Sequence, residues 1–129
     1  MKKYINLWLI PDYLIYLLTG ELCTDYTYGS RSLLMNMYTS KWDDELLELF
    51  HVKREHLLNL IEPGSVCGYL TKNVQERTGC LAGIPVVTAG GDQQCGAIGQ
   101  GVIREGIMSV TAGTGGFLIT AVDSHTGEY

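Results

Sequence analysis

The sequence predicts an α/β fold, on three observations. Apolar residues recur at helical spacing through the first half of the chain. Short β-rich runs dominate the second half, and two of them end in glycine. Sixteen glycines stand against three prolines in 129 residues, high for a helical bundle and in keeping with tight turns or ligand-approaching loops.

The elements follow in order. Pro11 suits a first helical position, and the apolar run 12–18 continues the helix to a stop at Gly20. A Thr/Tyr/Ser-rich stretch covers residues 24–31, and an apolar run follows over 33–37. Ser40 is expected to cap a helix opening with Trp42, with Asp43, Asp44 and Glu45 at its positive N-terminal end. Trp42, Leu46, Leu47, Leu49 and Phe50 mark one face of that helix. Residues 54–61 read as another short helix, stopped near Pro63 and Gly64.

Past Gly64 the pattern changes. Residues 65–71 read as a strand, 73–78 as a helical turn before Gly79, and 84–89 as a β run leading into Gly90-Gly91-Asp92. Residues 93–100 read as a helix in which Gly96, Ala97 and Gly99 permit close packing. Two further β runs are expected at 107–112 and 117–122. The string Val-Thr-Ala-Gly occurs twice, ending at Gly90 and Gly113. Each copy puts glycine at the end of a strand, where α/β proteins place ligands.

Composition narrows the class. A 46% hydrophobic and 18% charged chain is globular, not disordered. The net charge of -5 argues against nucleic acid as a partner, since phosphate-backbone binding needs clustered Lys and Arg. The opening MKKYINLWLI resembles a signal peptide, but Asn6, Pro11 and Asp12 interrupt the apolar run and no small-x-small cleavage site follows. No stretch reaches the roughly 18 apolar residues of a membrane span. The chain is expected to be soluble and cytoplasmic, with no membrane partner.

The cysteines at 23, 67, 80 and 95 form no C-x-x-C pair, and no histidine lies at zinc-finger spacing from them. No metal site is expected, and the thiols read as buried and reduced. His51 and His56, five apart, share no helix face and read as surface residues.

Two segments carry candidate chemistry. Asp92 follows two glycines and precedes a helix. It reads as a helix N-cap, as a carboxylate held at a strand end to accept a proton or face a metal, or as both. Gln93 and Gln94 offer amides to substrate hydroxyls, or form a solvated helix face. In Gly113-Thr114-Gly115-Gly116, backbone N–H groups and the Thr hydroxyl can face phosphate oxygens, though a Gly-rich hairpin turn explains the string equally well. It is neither a Walker A loop nor a dinucleotide fingerprint: no Gly-Lys-Ser/Thr follows, and a strand rather than a helix comes next.

At residues 90–100, GGDQQCGAIGQ, the sequence resembles the FGGY family of carbohydrate kinases, particularly its glycerol kinase-like and xylulokinase-like members. Residues 11–21 are similar to the family's helix ending in Leu-Thr-Gly. Thr24-Asp25-Tyr26-Thr27 with Ser30-Arg31 resembles its Thr-Asp-x-Thr-x-x-Ser-Arg stretch. Trp42-Asp43, Gly83-Ile84-Pro85-Val86 and Arg104-Glu105-Gly106 ahead of Gly113-Thr114-Gly115 keep the family's order and spacing. Gly91 and Cys95-Gly96 depart from the glycerol kinase pattern.

The resemblance implies a ribonuclease H-like, actin-like ATPase fold of two domains flanking a cleft. Residues 1–100 would be the later part of the N-terminal, substrate domain, and 101–129 the start of the C-terminal, ATP-binding domain. It implies transfer of the γ-phosphoryl of Mg-ATP to a sugar or polyol hydroxyl. Asp92 would be the base, with Gln93 beside it on the substrate, and Gly113 and Thr114 would approach the ATP phosphates. ATP and Mg²⁺ are the cofactors it implies, and a homo-oligomer of the whole enzyme is possible.

Family members are several times longer, so the chain is expected to be an internal fragment. Its sheets would be incomplete, its strand edges and apolar faces exposed, and by itself it would be catalytically silent. A non-catalytic actin-like binding module is the alternative. An unrelated small α/β binding protein is a third reading.

Overall fold

Local signals build the first helix, α1, at Ile10–Thr19. Pro11 sits in its first turn, and the Asp12 carboxylate turns back to accept the Leu9 N–H at 2.8 Å. Gly20 ends it in the left-handed conformation, φ 80°. These are the start and stop signals the sequence carries, with the helix opening one residue before Pro11. The computed structural model describes residues 7–122. Contacts within the chain divide it into two units, Met1–Ala89 and Gly90–Tyr129.

In the first unit α1 leads into β1 (Cys23–Asp25) and the short helix α2 (Tyr26–Gly29). After a 3₁₀ turn at Ser30–Ser32 come β2 (Met35–Asn36) and β3 (Lys41–Trp42), paired antiparallel. Helix α3 (Asp44–Leu49) follows, then a 3₁₀ turn at Arg54–His56 and β4 (Asn59–Ile61). Strand β5 (Val66–Tyr69), helix α4 (Lys72–Thr78) and β6 (Pro85–Val87) complete the unit. β1 pairs parallel with β4, Cys23 opposite Asn59, and β5 pairs antiparallel with β6 through a register irregularity between Val66 and Gly68. The second unit holds α5 (Asp92–Gly99) and the antiparallel hairpin of β7 (Met108–Ala112) and β8 (Gly116–Thr120).

Three expectations are corrected. The helix expected over 54–61 is a single 3₁₀ turn followed by strand β4. Its apolar residues are recruited by the β1 edge, which the sequence reading left unassigned; parallel pairing overrides weak helix propensity. Ser40 does not cap α3. It sits at φ 53° ahead of β3, and Asp43 caps instead, accepting from Glu45 N–H at 3.0 Å and Leu46 N–H at 3.2 Å. Trp42 belongs to β3, and its Nε1–H donates to the Leu58 carbonyl at 2.8 Å, tying β3 to the approach to β4. Of the face expected on α3 only Leu47 is buried, whereas Leu49 is 67% exposed and Phe50 half exposed. A six-residue helix turns too few times to bury a whole stripe.

The core is small. Cys23, Leu34, Met35, Leu47, Leu58, Cys67 and Val74 are its buried apolar residues in the first unit, and Ala97 and Val102 in the second. On α1 the buried residues are polar, Asp12 and Thr19, while Ile10 is 79% exposed and Leu14 and Leu17 about half exposed. The Thr19 hydroxyl donates to the Ile15 carbonyl at 2.7 Å and accepts from Glu21 N–H at 3.0 Å. Gly68 is where β5 comes close to the end of α1: a Cβ there would lie 2.7 Å from Thr19 Cβ. Among the described residues every sheet has two strands, so the strands have open edges. That agrees with the incomplete sheets and exposed apolar faces expected from the sequence.

The thiol expectation holds in half. Cys23 and Cys67 are buried, and burial, with Cys67 alongside, pushes the Cys23 thiol up to about 11. Cys80 is exposed and Cys95 is partly so. Cys80 follows Gly79, which ends α4 in the left-handed conformation, and the chain leaves the core there. Among the described residues all four cysteines are free, and no cluster of three or more His, Cys, Asp or Glu could hold a metal ion. No helix of the described residues is long and apolar enough to cross a membrane.

Candidate active site

Asp92 is held by the junction between a strand end and a helix start. β6 ends at Val87, and Gly90 turns the chain with φ 105°, a conformation open to glycine and strained for other residues. Gly91, buried and extended, is the N-cap of α5, and Asp92 is its first helical residue. The reading of Asp92 as the cap is therefore corrected: the helix starts one residue earlier than expected, because Gly91 adopts the cap conformation. The Asp92 carboxylate is exposed. Its Oδ1 accepts the Gln93 amide N–H at 2.9 Å, which leaves Oδ2 for another partner. The N–H groups at a helix N-terminus favour negative charge at this position.

Gln93 is partly exposed. Gln94 departs from a solvated face: its Oε1 is buried and has no hydrogen-bond partner among the described residues. An amide acceptor in that state is a good recognition element for a donor brought by a ligand.

Gly113 and Thr114 sit in the turn that joins β7 to β8, where Ala112 pairs with Gly116 and Gly113 N–H donates to the Gly115 carbonyl at 3.0 Å. Both are exposed. The turn is thus a hairpin, one of its two readings from sequence, and its open face leaves room for a ligand. Gly113 is absent from the positive-φ glycines, and a Cβ there would meet nothing within 4 Å, so of the two costs a side chain could bring, obstruction of a phosphate and forbidden backbone geometry, the second does not apply. Within this unit α5 packs on β8, and the Ser109 hydroxyl of β7 donates to Gln100 Oε1 at 2.5 Å just past the end of α5. Asp92, Gln93, Gly113 and Thr114 therefore all belong to the second unit, Gly90–Tyr129.

Residues 1–99 match the FGGY family of carbohydrate kinases, N-terminal domain. The chain belongs to the FGGY family. It is 42% identical over 114 residues to a glycerol kinase of Thermococcus kodakarensis, covering 88% of this chain and 22% of that protein. It is 35% identical over 109 residues to an autoinducer-2 kinase of Yersinia enterocolitica, covering 84% of this chain and 21% of that one. Among solved structures it superposes on a ligand-bound xylulose kinase from Lactobacillus acidophilus with TM-score 0.83 and 28% identity, over 89% of this chain and 24% of that one. It superposes on a Plasmodium falciparum glycerol kinase with ADP at TM-score 0.77 and 33% identity, over 86% of this chain and 22% of that one. The chain thus spans about a fifth of the length of the FGGY kinases it matches, as a mixed α/β segment of their actin-like ATPase fold.

One residue that sequence reasoning used only as a family marker proves structurally central. Asp25, 2% exposed, accepts from Thr27 N–H at 2.8 Å, Thr27 Oγ1–H at 2.5 Å and Tyr28 N–H at 3.4 Å. Its other oxygen accepts from the Thr88 hydroxyl. The Thr-Asp-x-Thr string signals the helix cap, but its bond to residue 88 has no sequence signature.

Proposed function

We propose that this chain is a central segment of an ATP-dependent carbohydrate kinase, in which Asp92 is the general base for transfer of the γ-phosphoryl group to a sugar or polyol hydroxyl. Residues 1–100 form the later part of the substrate domain and 101–129 the start of the ATP-binding domain. The whole enzyme acts in the cytoplasm. The observation that carries the reading is Asp92 itself. It is an exposed carboxylate with one oxygen free among the described residues, in the first turn of a helix that follows a strand end and two glycines, in a chain of this family.

The chemistry follows. An alcohol is a poor nucleophile near neutral pH, so a carboxylate within hydrogen-bond reach helps by taking its proton. As the oxygen–phosphorus bond forms, the bond from the γ-phosphorus to the bridging oxygen breaks and ADP leaves. Such a base contributes about 10²–10⁴-fold. Asp92 takes the proton on Oδ2, while the Gln93 amide N–H on Oδ1 holds the carboxylate in place. The Gln93 side chain orients the acceptor through its amide. Thr114 turns its backbone N–H and hydroxyl toward the phosphates, while Gly113, whose own N–H is held by the Gly115 carbonyl, leaves their approach open in an exposed, uncrowded turn. Mg-ATP supplies the phosphoryl group and its charge neutralisation when bound.

The test uses the full-length kinase that carries this segment, assayed for ADP release with a panel of polyols and ketoses. Asp92→Asn should lower turnover by at least about 10²-fold while ATP binding changes little. Near-normal turnover would remove Asp92 from the mechanism.

A further inference from the structure

We propose that Gln100 and Ser109 are positioning residues: the hydrogen bond between their side chains holds the helix that carries Asp92 and the hairpin that carries Gly113 and Thr114 as one body. This rests on the reading of Asp92 as the base and of the turn as the phosphate contact. All five residues lie in the unit Gly90–Tyr129.

The path of the chain brings the pair together. α5 begins at Asp92 and is closed at its other end by Gln100, whose backbone N–H donates to the Gly96 carbonyl at 3.0 Å and the Ala97 carbonyl at 3.1 Å. Gly101, at φ 86°, turns the chain, and Val102 folds back with its N–H on the Ala97 carbonyl at 3.0 Å. Ala97 and Val102 are the buried apolar residues of this unit. β7 then opens at Met108, and the hydroxyl of Ser109, its second residue, donates to Gln100 Oε1 at 2.5 Å.

Ser109 stands where packing alone would favour an apolar side chain. Side chains alternate along a strand, so Ser109 and Thr111 of β7 share a face with their partners Ile119 and Phe117 of β8. Among residues 108–120 Ser109 alone is buried, at 5% exposure, whereas Thr111 and Ile119 are half-buried and Phe117 is exposed. A buried hydroxyl is costly unless it is bonded, and this one is spent on the end of α5 rather than within its own hairpin. That choice of partner is what points to positioning. An apolar contact would hold helix and strand together, but a directional bond also fixes where one stands along the other.

The two arms beyond the bond are matched. Asp92 lies eight residues before Gln100, about 12 Å along a helix. Gly113 lies four residues after Ser109, about 13 Å along a strand. The bond thus ties the two elements at one end, and the candidate base and the phosphate turn occupy their other ends, so a slip at the tie displaces one relative to the other. Phosphoryl transfer asks little of a protein beyond positioning and charge, so that separation bears directly on rate. The match to the family's N-terminal domain ends at residue 99, so the tie joins the last helix of that match to the strand that follows it.

Gln100→Met keeps the length of the side chain and removes the acceptor, on a residue exposed to solvent. Gln100→Glu keeps an acceptor, and Ser109→Ala removes the donor. In the full-length kinase, Gln100→Met and Ser109→Ala should each lower kcat about fivefold. Affinities for a non-hydrolysable ATP analogue and for the acceptor, each titrated alone, should stay within about twofold of the parent, a split that damage to either binding site would not give. Gln100→Glu should keep kcat within about twofold. The double variant of Gln100→Met and Ser109→Ala should be no slower than the slower single one, because both remove the same bond. If Ser109→Ala does not fold, Gln100→Met carries the test with Gln100→Glu as its control.

Unchanged kcat in Gln100→Met overturns the proposal. So does a loss that Gln100→Glu fails to restore, a loss matched by weaker binding of the ATP analogue, or losses that multiply in the double variant. The two claims fail differently. An active Asp92→Asn refutes the base. An inactive Asp92→Asn beside a fully active Gln100→Met refutes only the tie.

Discussion

Replacing Gly113 by valine separates the two readings of the β7–β8 turn. The structure sets what the substitution costs in folding. Gly113 is not among the positive-φ glycines, and a Cβ built there meets no atom within 4 Å. The residue is exposed, so a substitution away from the core and from strained backbone should change stability by no more than about 0.5 kcal/mol. A phosphate oxygen resting on the turn's N–H groups, by contrast, would meet the two methyl groups of valine directly. Loss of one such contact is worth about 1.4 kcal/mol, or tenfold in affinity, and steric exclusion of the phosphates costs more.

The expected outcome in the full-length kinase is therefore a melting temperature within a few degrees of the parent, with ATP affinity at least about tenfold weaker. Sugar or polyol affinity should be largely intact. Calorimetric titration with a non-hydrolysable ATP analogue and with the acceptor, beside a thermal melt, measures all three. Unchanged nucleotide affinity in a protein that melts normally would reduce the loop to a hairpin turn. A large drop in melting temperature would refute the structural premise that the position is uncrowded.

Two predictions concern the first unit. Gly68→Ala places a methyl group 2.7 Å from Thr19 Cβ, a contact that neither backbone can relieve cheaply, and should destabilise by about 1–3 kcal/mol in urea unfolding; a change below about 0.5 kcal/mol would show that α1 and β5 are free to part. Asp12 is raised above 3.8, first by burial and also by the neighbouring Asp25, with the Leu9 N–H and Thr24 pulling it back. A carboxyl raised on folding supports the folded state fully below pH 3.8 and loses that support as pH climbs from there through the raised value. Asp12→Asn keeps an acceptor for Leu9 N–H and should flatten that loss, so unfolding of parent and variant compared at pH 4 and pH 7 should show the parent alone losing stability from this group; parallel pH dependences would refute it.

What the sequence determined by itself is what lies close along the chain. Pro11 and Gly20 bound α1, Gly79 ends α4, and the β runs before Gly90 and Gly113 become β6 and β7, because caps and glycine turns act within a few residues. The ordered family strings were legible for the same reason, and with them the candidates Asp92, Gln93, Gly113 and Thr114. Tertiary structure decided what depends on distant partners. Residues 59–61 became strand rather than helix because β1 offered them a parallel edge. The apolar stripes of α1 and α3 stayed largely exposed while Asp12 and Thr19 went inside, because periodicity says which residues share a face and not which face is covered. Asp25 found Thr88 across 63 residues for the same reason: a buried carboxylate must satisfy both its oxygens, and only the folded chain determines which donor stands beside the second.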